Sequence, residues 1–407
     1  MNRGGLSVTV LGVVATLASV AAFGGLRARR FPIAVSPAAP ALAEAVTESS
    51  QLASIGAQIF SDVGLSEPPG TSCASCHDPA HGFAGNHGST NGVALGSRPD
   101  HFARRTAPSV LYLGLVHRFH FHWEEDAPLP DAAGGFFWDG RSDSLAELTR
   151  QPLLNLDEMG NHDVAEVARK IEASAYAADL AHALGPLDDP EAAVRALGKA
   201  VEAFLLSDVM APFTSRYDDF VRGRATLTQR EARGLALFKD PAKGNCVTCH
   251  KMNDSVADPA RSPFSDFGFE TVGVPRNARL DANRDPKSFD LGLCEHDGLH
   301  GQTRDPRFCG AFRTPSLRNV AVRPSFMHNG AFTRLRDVVA FYATRATDPR
   351  RWYGPVTYDD LPPRYRENVN DVIAPYDRKR GGTPALDDDE IDALVAFLET
   401  LTDAAYR

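Results

Sequence analysis

Cys73-Ala-Ser-Cys76-His77 and Cys246-Val-Thr-Cys249-His250 are the two segments from which the organisation of this chain follows. In each, two residues separate the cysteines and a histidine follows the second cysteine, a spacing typical of covalent haem c attachment. The two thiols add to the vinyl groups of the porphyrin, and the histidine reaches the iron from the same turn. The sequence therefore predicts two covalently bound haem c groups, with His77 and His250 as the proximal iron ligands.

Two other kinds of site also use a Cys-x-x-Cys pair. A thioredoxin-type dithiol opens a helix after a strand of a βαβ unit, and the sequence has no recognisable unit of that kind. A Cys₄ zinc site would require both pairs to converge, and it would leave the histidine after each pair without a function. Haem c accounts for all three side chains of each motif.

The segments around these motifs indicate an internal repeat. Gly56-Ala-Gln-Ile-Phe60 precedes the first motif, and Gly234-Leu-Ala-Leu-Phe238 precedes the second. Apolar residues at helical spacing predict a closing helix in each half, over residues 191–209 and after residue 387. Because strand patterns are scarce, we expect a mostly α-helical fold with two cytochrome c-like haem domains and long loops.

The predicted domain borders follow from this repeat. We expect a haem c domain at residues 49–222 and a second one at residues 223–407. Of the 407 residues, 43% are hydrophobic and 23% are charged, which is ordinary for a globular protein. The net charge of -9 argues against a nucleic-acid binder that relies on a basic field.

The N-terminus points to export. Residues 6–26 form an uncharged apolar segment, which predicts either a cleaved signal peptide or a membrane anchor, and a tether continues to residue 48. Arg27, Arg29 and Arg30 would by charge alone keep the rest of the chain in the cytoplasm. Because haem c is attached on the outer side of the bacterial membrane, we nevertheless expect a periplasmic protein, either secreted or tethered by residues 6–26.

Cys294 and Cys309 lie outside the two motifs. In an exported protein two remaining thiols most simply form a disulfide, and two free thiols are the alternative. Such a disulfide would close a loop of about 15 residues and stabilise the fold by up to about 3 kcal/mol.

Four further segments resemble the bacterial di-haem cytochrome c peroxidase/MauG family. They are FFWDGR at 136–141, QPLLNLDEMG at 151–160, TPSLRNV at 314–320 and FMHNG at 326–330, and the likeness extends from about Ser50 to Leu401. The resemblance implies an oxidoreductase that reduces hydrogen peroxide to water through ferryl iron, with electrons from a small cytochrome c or cupredoxin. A MauG-like oxidase that modifies a tryptophan side chain of a partner protein and a non-catalytic di-haem electron carrier are the alternatives. The family also implies a homodimer as one oligomeric state.

The resemblance assigns roles to individual residues. The haem on His77 would be the peroxidatic one, and the haem on His250 would transfer electrons. Trp138 matches the tryptophan between the haems, and Pro152 matches a packing position of the distal pocket. Glu158 matches the distal acid, which would move a proton from the inner to the outer oxygen of peroxide.

Three positions depart from the peroxidase pattern. Tyr342 stands where the peroxidases have a methionine ligand of the second haem and the MauG branch has a tyrosine, so we expect it to be the sixth ligand, with Met327 as the alternative. An anionic phenolate would favour ferric iron and lower the reduction potential. Leu148 replaces a distal glutamine. No histidine has the family's spacing for blocking the first haem, which favours a five-coordinate iron, with His101 as the best blocking candidate.

The family further implies a calcium ion between the haems, held largely by carbonyl oxygens. The matching positions here are Thr106 and Arg323, where an asparagine and a threonine are usual. His117, His120, His122 and Trp123 lie in an insertion to which we assign no role.

Overall fold

The computed structural model describes residues 38–123, 130–253, 258–295 and 304–407, with side chains from residue 49 onward. Residues Ala45–Arg407 form one compact unit; of the preceding unit, only the first turns of a helix that begins at Ala38 are described. Residues 6–26, the predicted signal or anchor, lie outside the described part of the chain. In that described part, no helix combines the length and apolarity needed to cross a membrane.

The fold is mostly helical, as predicted, with short strands between long loops. The helices are α1 Ala38–Phe60, α2 Cys73–Cys76, α3 Leu145–Leu148, α4 Arg150–Leu154, α5 Val164–Glu172, α6 Ala177–Leu184, α7 Pro190–Leu205, α8 Arg216–Val221, α9 Gln229–Lys239, α10 Leu335–Thr344 and α11 Asp388–Glu399. The strands are β1 His120–His122, β2 Asp131–Ala133, β3 Phe269–Glu270 and β4 Phe312–Arg313.

The predicted closing helices form for the expected reasons. In α7, the Asp189 side chain accepts a hydrogen bond from the backbone N–H of Ala192, and Pro190 occupies the first turn. The helix ends at Leu205 rather than at residue 209, and the Ser207 hydroxyl there donates to the Phe204 carbonyl at 2.6 Å. In α11, a reciprocal capping box joins Asp387 and Glu390.

Two hydrophobic cores follow one another along the chain. The first contains buried residues between Ile55 and Phe213, mainly from α1, α5 and α7. The second runs from Tyr217 to Leu401 and is built chiefly on α9, α10 and α11. The change from one core to the other thus falls a few residues before the predicted border at 222. The assignment of one haem domain to each half stays a prediction.

Each half brings its first and last helices together at a glycine. A Cβ atom on Gly56 in α1 would lie 2.0 Å from the Ala200 carbonyl oxygen in α7, and one on Gly234 in α9 would lie 2.0 Å from the Ala393 carbonyl oxygen in α11. Each Cβ would also lie close to the Cβ atom of a phenylalanine, at 2.9 Å from that of Phe204 and at 2.7 Å from that of Phe397. The two crossings make matching contacts, as the internal repeat of the sequence leads one to expect.

Two small antiparallel pairs fix the segment that carries Trp138. Strand β1 pairs with β2, and β3 pairs with β4. The backbone N–H of Gly134 donates to the Phe267 carbonyl at 2.9 Å, and the backbone N–H of Arg313 donates to the Trp138 carbonyl at 2.7 Å. The tryptophan segment is therefore tied to the second half of the chain by main-chain hydrogen bonds.

Candidate haem sites

The first attachment motif forms a single helical turn. Helix α2 spans the two cysteines, with a capping box between Ser72 and Ser75 at its start, and His77 ends the turn with its backbone N–H on the Cys73 carbonyl. Neither cysteine is part of a disulfide, so both are available for thioether bonds, and burial raises the pKa values of their thiols to about 12.

The second motif adopts a related turn. Residues Cys246–Thr248 form a short 3-10 helix, and the backbone N–H of His250 donates to the Cys246 carbonyl at 2.8 Å. The thiols of Cys246 and Cys249 are free. Among the described residues, no three His, Cys, Asp or Glu side chains are grouped so as to hold a metal ion, so the two pairs do not converge into a zinc site.

The two histidines predicted as proximal ligands are each oriented by a backbone carbonyl. The Nδ1 atom of His77 donates to the Pro108 carbonyl at 2.9 Å, and the Nδ1 atom of His250 donates to the Phe264 carbonyl at 3.0 Å. Burial lowers the pKa of both rings, that of His250 to about 4. The neutral rings keep the Nε2 lone pair available for iron, and the carbonyl fixes the ring orientation.

Each motif opens onto a large cavity. The cavity at His77 has a volume of about 320 Å³ and the cavity at His250 about 200 Å³. Because protein interiors are normally close-packed, internal spaces of this size call for an occupant. Thiols and an oriented histidine at the wall of each cavity fit haem c.

Trp138 lies in the wall that the two cavities share. It lines both of them, together with Thr106, Ala107, Pro108 and Arg313. The indole N–H donates to the Thr106 carbonyl at 3.0 Å, so the ring is held in one orientation. The structure therefore brings this predicted residue to both cavities.

The predicted distal residues lie in the cavity of His77. Glu158, Pro152 and Leu148 all line it. Burial raises the pKa of the Glu158 carboxyl, although nearby Arg141 and a hydrogen bond from Asn155 act in the opposite direction. The Asn155 amide donates to Glu158 Oε1 at 2.9 Å. This is a carboxyl group whose proton affinity exceeds that of a solvated glutamate.

Three histidines, His81, His87 and His101, lie in the sequence between the first attachment motif and Pro108, and none of them lines the first cavity. The Nδ1 atom of His81 contacts Asp78 at 2.9 Å, that of His87 donates to the Leu95 carbonyl at 2.7 Å, and that of His101 contacts Asp157 at 2.9 Å. Among the residues that line the first cavity, His77 is the only histidine.

Tyr342 and Met327 both line the second cavity. Burial raises the pKa of Tyr342, whose phenol lies near the thiols of Cys249 and Cys246. Its ring stacks on Tyr376 with the ring centres 5.6 Å apart. Tyr342 therefore lines the same cavity as the second attachment motif, as expected for a sixth ligand of the second haem iron.

Comparison with known proteins gives the family. The chain is 36% identical to the methylamine utilization protein MauG of Paracoccus denitrificans, over 92% of this chain and 95% of that protein. A family model described as di-haem cytochrome c peroxidase matches residues 50–226. The chain belongs to the di-haem cytochrome c peroxidase/MauG family.

Other members of this family are similar over most of their length. Cytochrome-c peroxidase IdrP2 of Pseudomonas sp. strain SCT is 30% identical, over 84% of this chain and 85% of that protein. The solved structure of the diheme peroxidase BthA from Burkholderia thailandensis is 51% identical, with a TM-score of 0.82, and the match covers 87% of this chain and 86% of that one. These comparisons support two haem c groups and leave the individual activity open.

A buried charge network beside the first cavity of this di-haem protein escaped the sequence analysis. Arg105 forms ion pairs with Asp139 and with Asp290, the latter through its Nε at 2.7 Å. Arg141 also donates to Asp139, and its Nε donates to Gln151 Oε1 at 2.6 Å. Asp139, Arg141 and Gln151 lie in the family motifs, but only the structure shows that they hold one another.

The two residues matched to the family's calcium site already form hydrogen bonds within the protein. The Thr106 hydroxyl donates to the Met327 carbonyl at 2.9 Å, and the Thr106 carbonyl accepts the indole N–H of Trp138. The Arg323 guanidinium donates to the carbonyls of Ser316 and Arg318, at 2.7 Å each. The calcium ion stays a prediction.

The remaining cysteines and the histidine-rich insertion lie apart from both cavities. Cys294 and Cys309 form a disulfide with their Cα atoms 4.9 Å apart. The ring centres of His117 and His120 are 5.8 Å apart, and those of His120 and His122 are 5.9 Å apart. Neither group lines a cavity.

Proposed function

We propose that this protein is a di-haem peroxidase that reduces hydrogen peroxide to two water molecules, consuming two protons and two electrons from a small cytochrome c or cupredoxin. The main support is that Glu158 and His77 line one cavity while Trp138 lines both. The 51% identity to a solved diheme peroxidase points the same way. When bound, the haems supply iron that exchanges electrons with peroxide and with the donor.

Glu158 is the proton-transferring group of this proposal. Cleavage of the O–O bond requires a proton to move from the inner to the outer oxygen of peroxide, and a positioned carboxylate does this by accepting and then donating it. Burial raises the pKa of Glu158. The pKa therefore lies closer to neutral pH, where a general base is most effective. Asn155 orients the carboxylate through its 2.9 Å hydrogen bond. Pro152 and Leu148 give the same cavity an apolar wall.

Trp138 and Tyr342 serve the second haem site in this proposal. Trp138 provides an oxidisable ring in the shared wall, fixed by its hydrogen bond to the Thr106 carbonyl. Tyr342 would hold the iron of the second haem together with His250, and a phenolate oxygen would favour the ferric state. A calcium ion held by the carbonyls of Thr106 and Arg323 remains part of the proposal, since a carbonyl oxygen with one hydrogen bond keeps a second lone pair.

We place the protein in the periplasm. Haem attachment to Cys-x-x-Cys-His requires export, and the disulfide between Cys294 and Cys309 suits an oxidising compartment.

Steady-state turnover of hydrogen peroxide by the Glu158→Gln variant tests the proposal. With a reduced small cytochrome c as donor, we expect kcat/KM for peroxide to fall by about 10²- to 10⁴-fold, the usual contribution of general acid–base catalysis. Glu147→Gln is the control, because Glu147 is exposed and lines neither cavity. Unchanged turnover in Glu158→Gln would refute the acid–base role.

A MauG-like oxidase acting on a partner protein's tryptophan is the second candidate. It is favoured by the 36% identity to MauG and by the tyrosine at position 342. The same assay separates the two: rapid consumption of reduced cytochrome c by the unmodified protein supports the peroxidase. A long-lived oxidised state that does not react with cytochrome c supports the protein-modifying oxidase.

A further inference from the structure

Two arginines in the interior of this protein have carboxylate partners. The Arg105 guanidinium pairs with Asp139 and Asp290, and that of Arg318 pairs with Asp218 at 3.0 Å. Arg313, in β4, differs from them. Its exposed fraction is 8%, and within the described residues no carboxylate forms an ion pair with it.

The Arg313 side chain has one hydrogen bond in the described part of the protein. Its Nε donates to the Phe137 carbonyl at 2.9 Å, which leaves the two Nη atoms without a partner there. Asp139 lies close enough to act on Arg313 electrostatically, but its oxygens are already engaged by Arg105 and Arg141. Burial accordingly lowers the pKa of Arg313 to about 10.

A buried cation without a counter-charge is costly. Removing a guanidinium from water carries a penalty of several kcal/mol unless an anion compensates for it. An unpaired guanidinium at a cavity wall therefore points to an anion supplied from outside the polypeptide. The anion must reach the position of Arg313, which lines both cavities.

The expected occupants of the cavities carry suitable anions. Thioether formation uses the vinyl groups of a haem, so its two propionates are the anionic substituents of the porphyrin that remain. The planar guanidinium matches carboxylate geometry and can bind two carboxylates through different N–H groups. The main chain of Arg313 also donates to the Trp138 carbonyl, so the residue is fixed to the shared wall.

We propose that Arg313 is a shared counter-charge that binds a propionate of each haem. This inference rests on the placement of one haem in each cavity. Arg313 is then a positioning residue, which holds the propionate edges of the two haems against the Trp138 segment. As a positive charge in the wall of both cavities, it would also stabilise the reduced state of each haem and so raise both midpoint potentials.

Arg323 provides a contrast within the same chain. It too is buried without an ion-pair partner among the described residues, and its Nε has no hydrogen bond. It lines only the second cavity, and its charge acts on His250. Loss of the Arg323 charge should therefore affect the second haem alone, whereas loss of the Arg313 charge should affect both.

Spectroelectrochemical titration of the holoenzyme tests the shared counter-charge. We expect Arg313→Gln to lower both midpoint potentials, Arg313→Lys to lower them less, and Arg323→Gln to lower only that of the second haem. Arg307→Gln is the control, because Arg307 pairs with Asp305 and lines neither cavity. If Arg313→Gln leaves either haem potential at the wild-type value, the bridge is refuted.

A crystal structure of the unmodified holoenzyme decides the question even if the variants do not accumulate. Support requires a guanidinium nitrogen of Arg313 within hydrogen-bond distance of a propionate oxygen from each haem. Contact with only one haem, or with neither, overturns the proposal. Failure of this proposal can be told apart from failure of the peroxidase proposal. Peroxide turnover tests the peroxidase proposal, whereas the two midpoint potentials test the role of Arg313 in any form of the protein that holds two haems.

Discussion

At the residue scale, the chemistry proposed for the first cavity depends on the pKa of Glu158, which the surrounding residues determine. Burial is the largest influence and raises the pKa, while the charge of Arg141 and the hydrogen bond from Asn155 lower it. The net effect is that the pKa of Glu158 is raised from 4.5, the ordinary value of glutamate. A base that must be ionised to accept the peroxide proton loses activity when the pH falls through its pKa.

This balance predicts a pH profile. We expect kcat/KM for peroxide to decline with falling pH along an acid limb that lies above pH 4.5, the ordinary pKa of glutamate. In Asn155→Ala the donor that stabilises the carboxylate is absent, so the pKa of Glu158 rises and the limb moves to higher pH. Peroxide turnover measured from acid to neutral pH checks this. A limb that shifts to lower pH in Asn155→Ala contradicts the assignment.

The second cavity gives a prediction at Tyr342. Replacement by methionine exchanges an anionic oxygen ligand for a thioether, which favours ferrous iron, so the midpoint potential of the second haem should rise. The Met327→Leu variant is the matched control, because Met327, the alternative ligand, lines the same cavity as Tyr342. If Met327→Leu alters the absorption spectrum and potential while Tyr342→Met does not, Met327 is the ligand.

Residues with a recognisable local spacing could be predicted from the sequence, and those joined only by the fold could not. The two thiols and the histidine of each haem motif lie within five consecutive residues, so their chemistry is visible in the chain. Arg105 and Asp290 are 185 residues apart, and neither lies in a motif that signals the other. Their pairing depends on the burial of both side chains beside the first cavity, which no local pattern encodes.

At the scale of secondary-structure elements, the two halves share the way in which their outer helices cross. Gly56 lets α1 approach the Ala200 carbonyl in α7, and Gly234 lets α9 approach the Ala393 carbonyl in α11. The sequence contained this information as the repeated Gly-x-x-x-Phe segments before each motif. In each half the attachment motif follows the first helix after a short loop, and its cysteines line the cavity.

A methyl group at the second crossing should separate the helices. Gly234→Ala would bring a Cβ to 2.0 Å from the Ala393 carbonyl oxygen, so the backbone has to move. Overpacking of this kind costs about 1–3 kcal/mol, and we expect the free energy of unfolding of the holoprotein to fall by about 3 kcal/mol. Denaturant titration measures it, with Gly354→Ala as the control because a Cβ there meets no atom within 4 Å. Equal stability of the two variants would contradict a close crossing.

Helices were more predictable than strands. The closing helix predicted after residue 387 forms as α11, and its start has a capping box between Asp387 and Glu390. Each strand has only two or three residues, too few for an alternating pattern to stand out. The partner of β3 is also distant along the chain, since more than forty residues separate it from β4, where Phe269 lies opposite Arg313.

At the scale of the whole molecule, the two cavities meet at Trp138. Each cavity has its own attachment motif and proximal histidine, and the indole lies in the wall between them. The cavities differ in the other residues that line them. Glu158, Pro152 and Leu148 line the first, in which His77 is the single histidine among the described residues, whereas Tyr342, Met327 and a second histidine, His328, line the second.

This asymmetry leads to the central claim, that one iron is open to the oxidant while the other is closed by a protein ligand. Electron paramagnetic resonance of the ferric holoprotein, together with its haem content, tests the claim most directly. The account predicts two haems per chain, one giving a high-spin ferric signal and the other a low-spin signal. Two low-spin signals, or fewer than two haems, would contradict it.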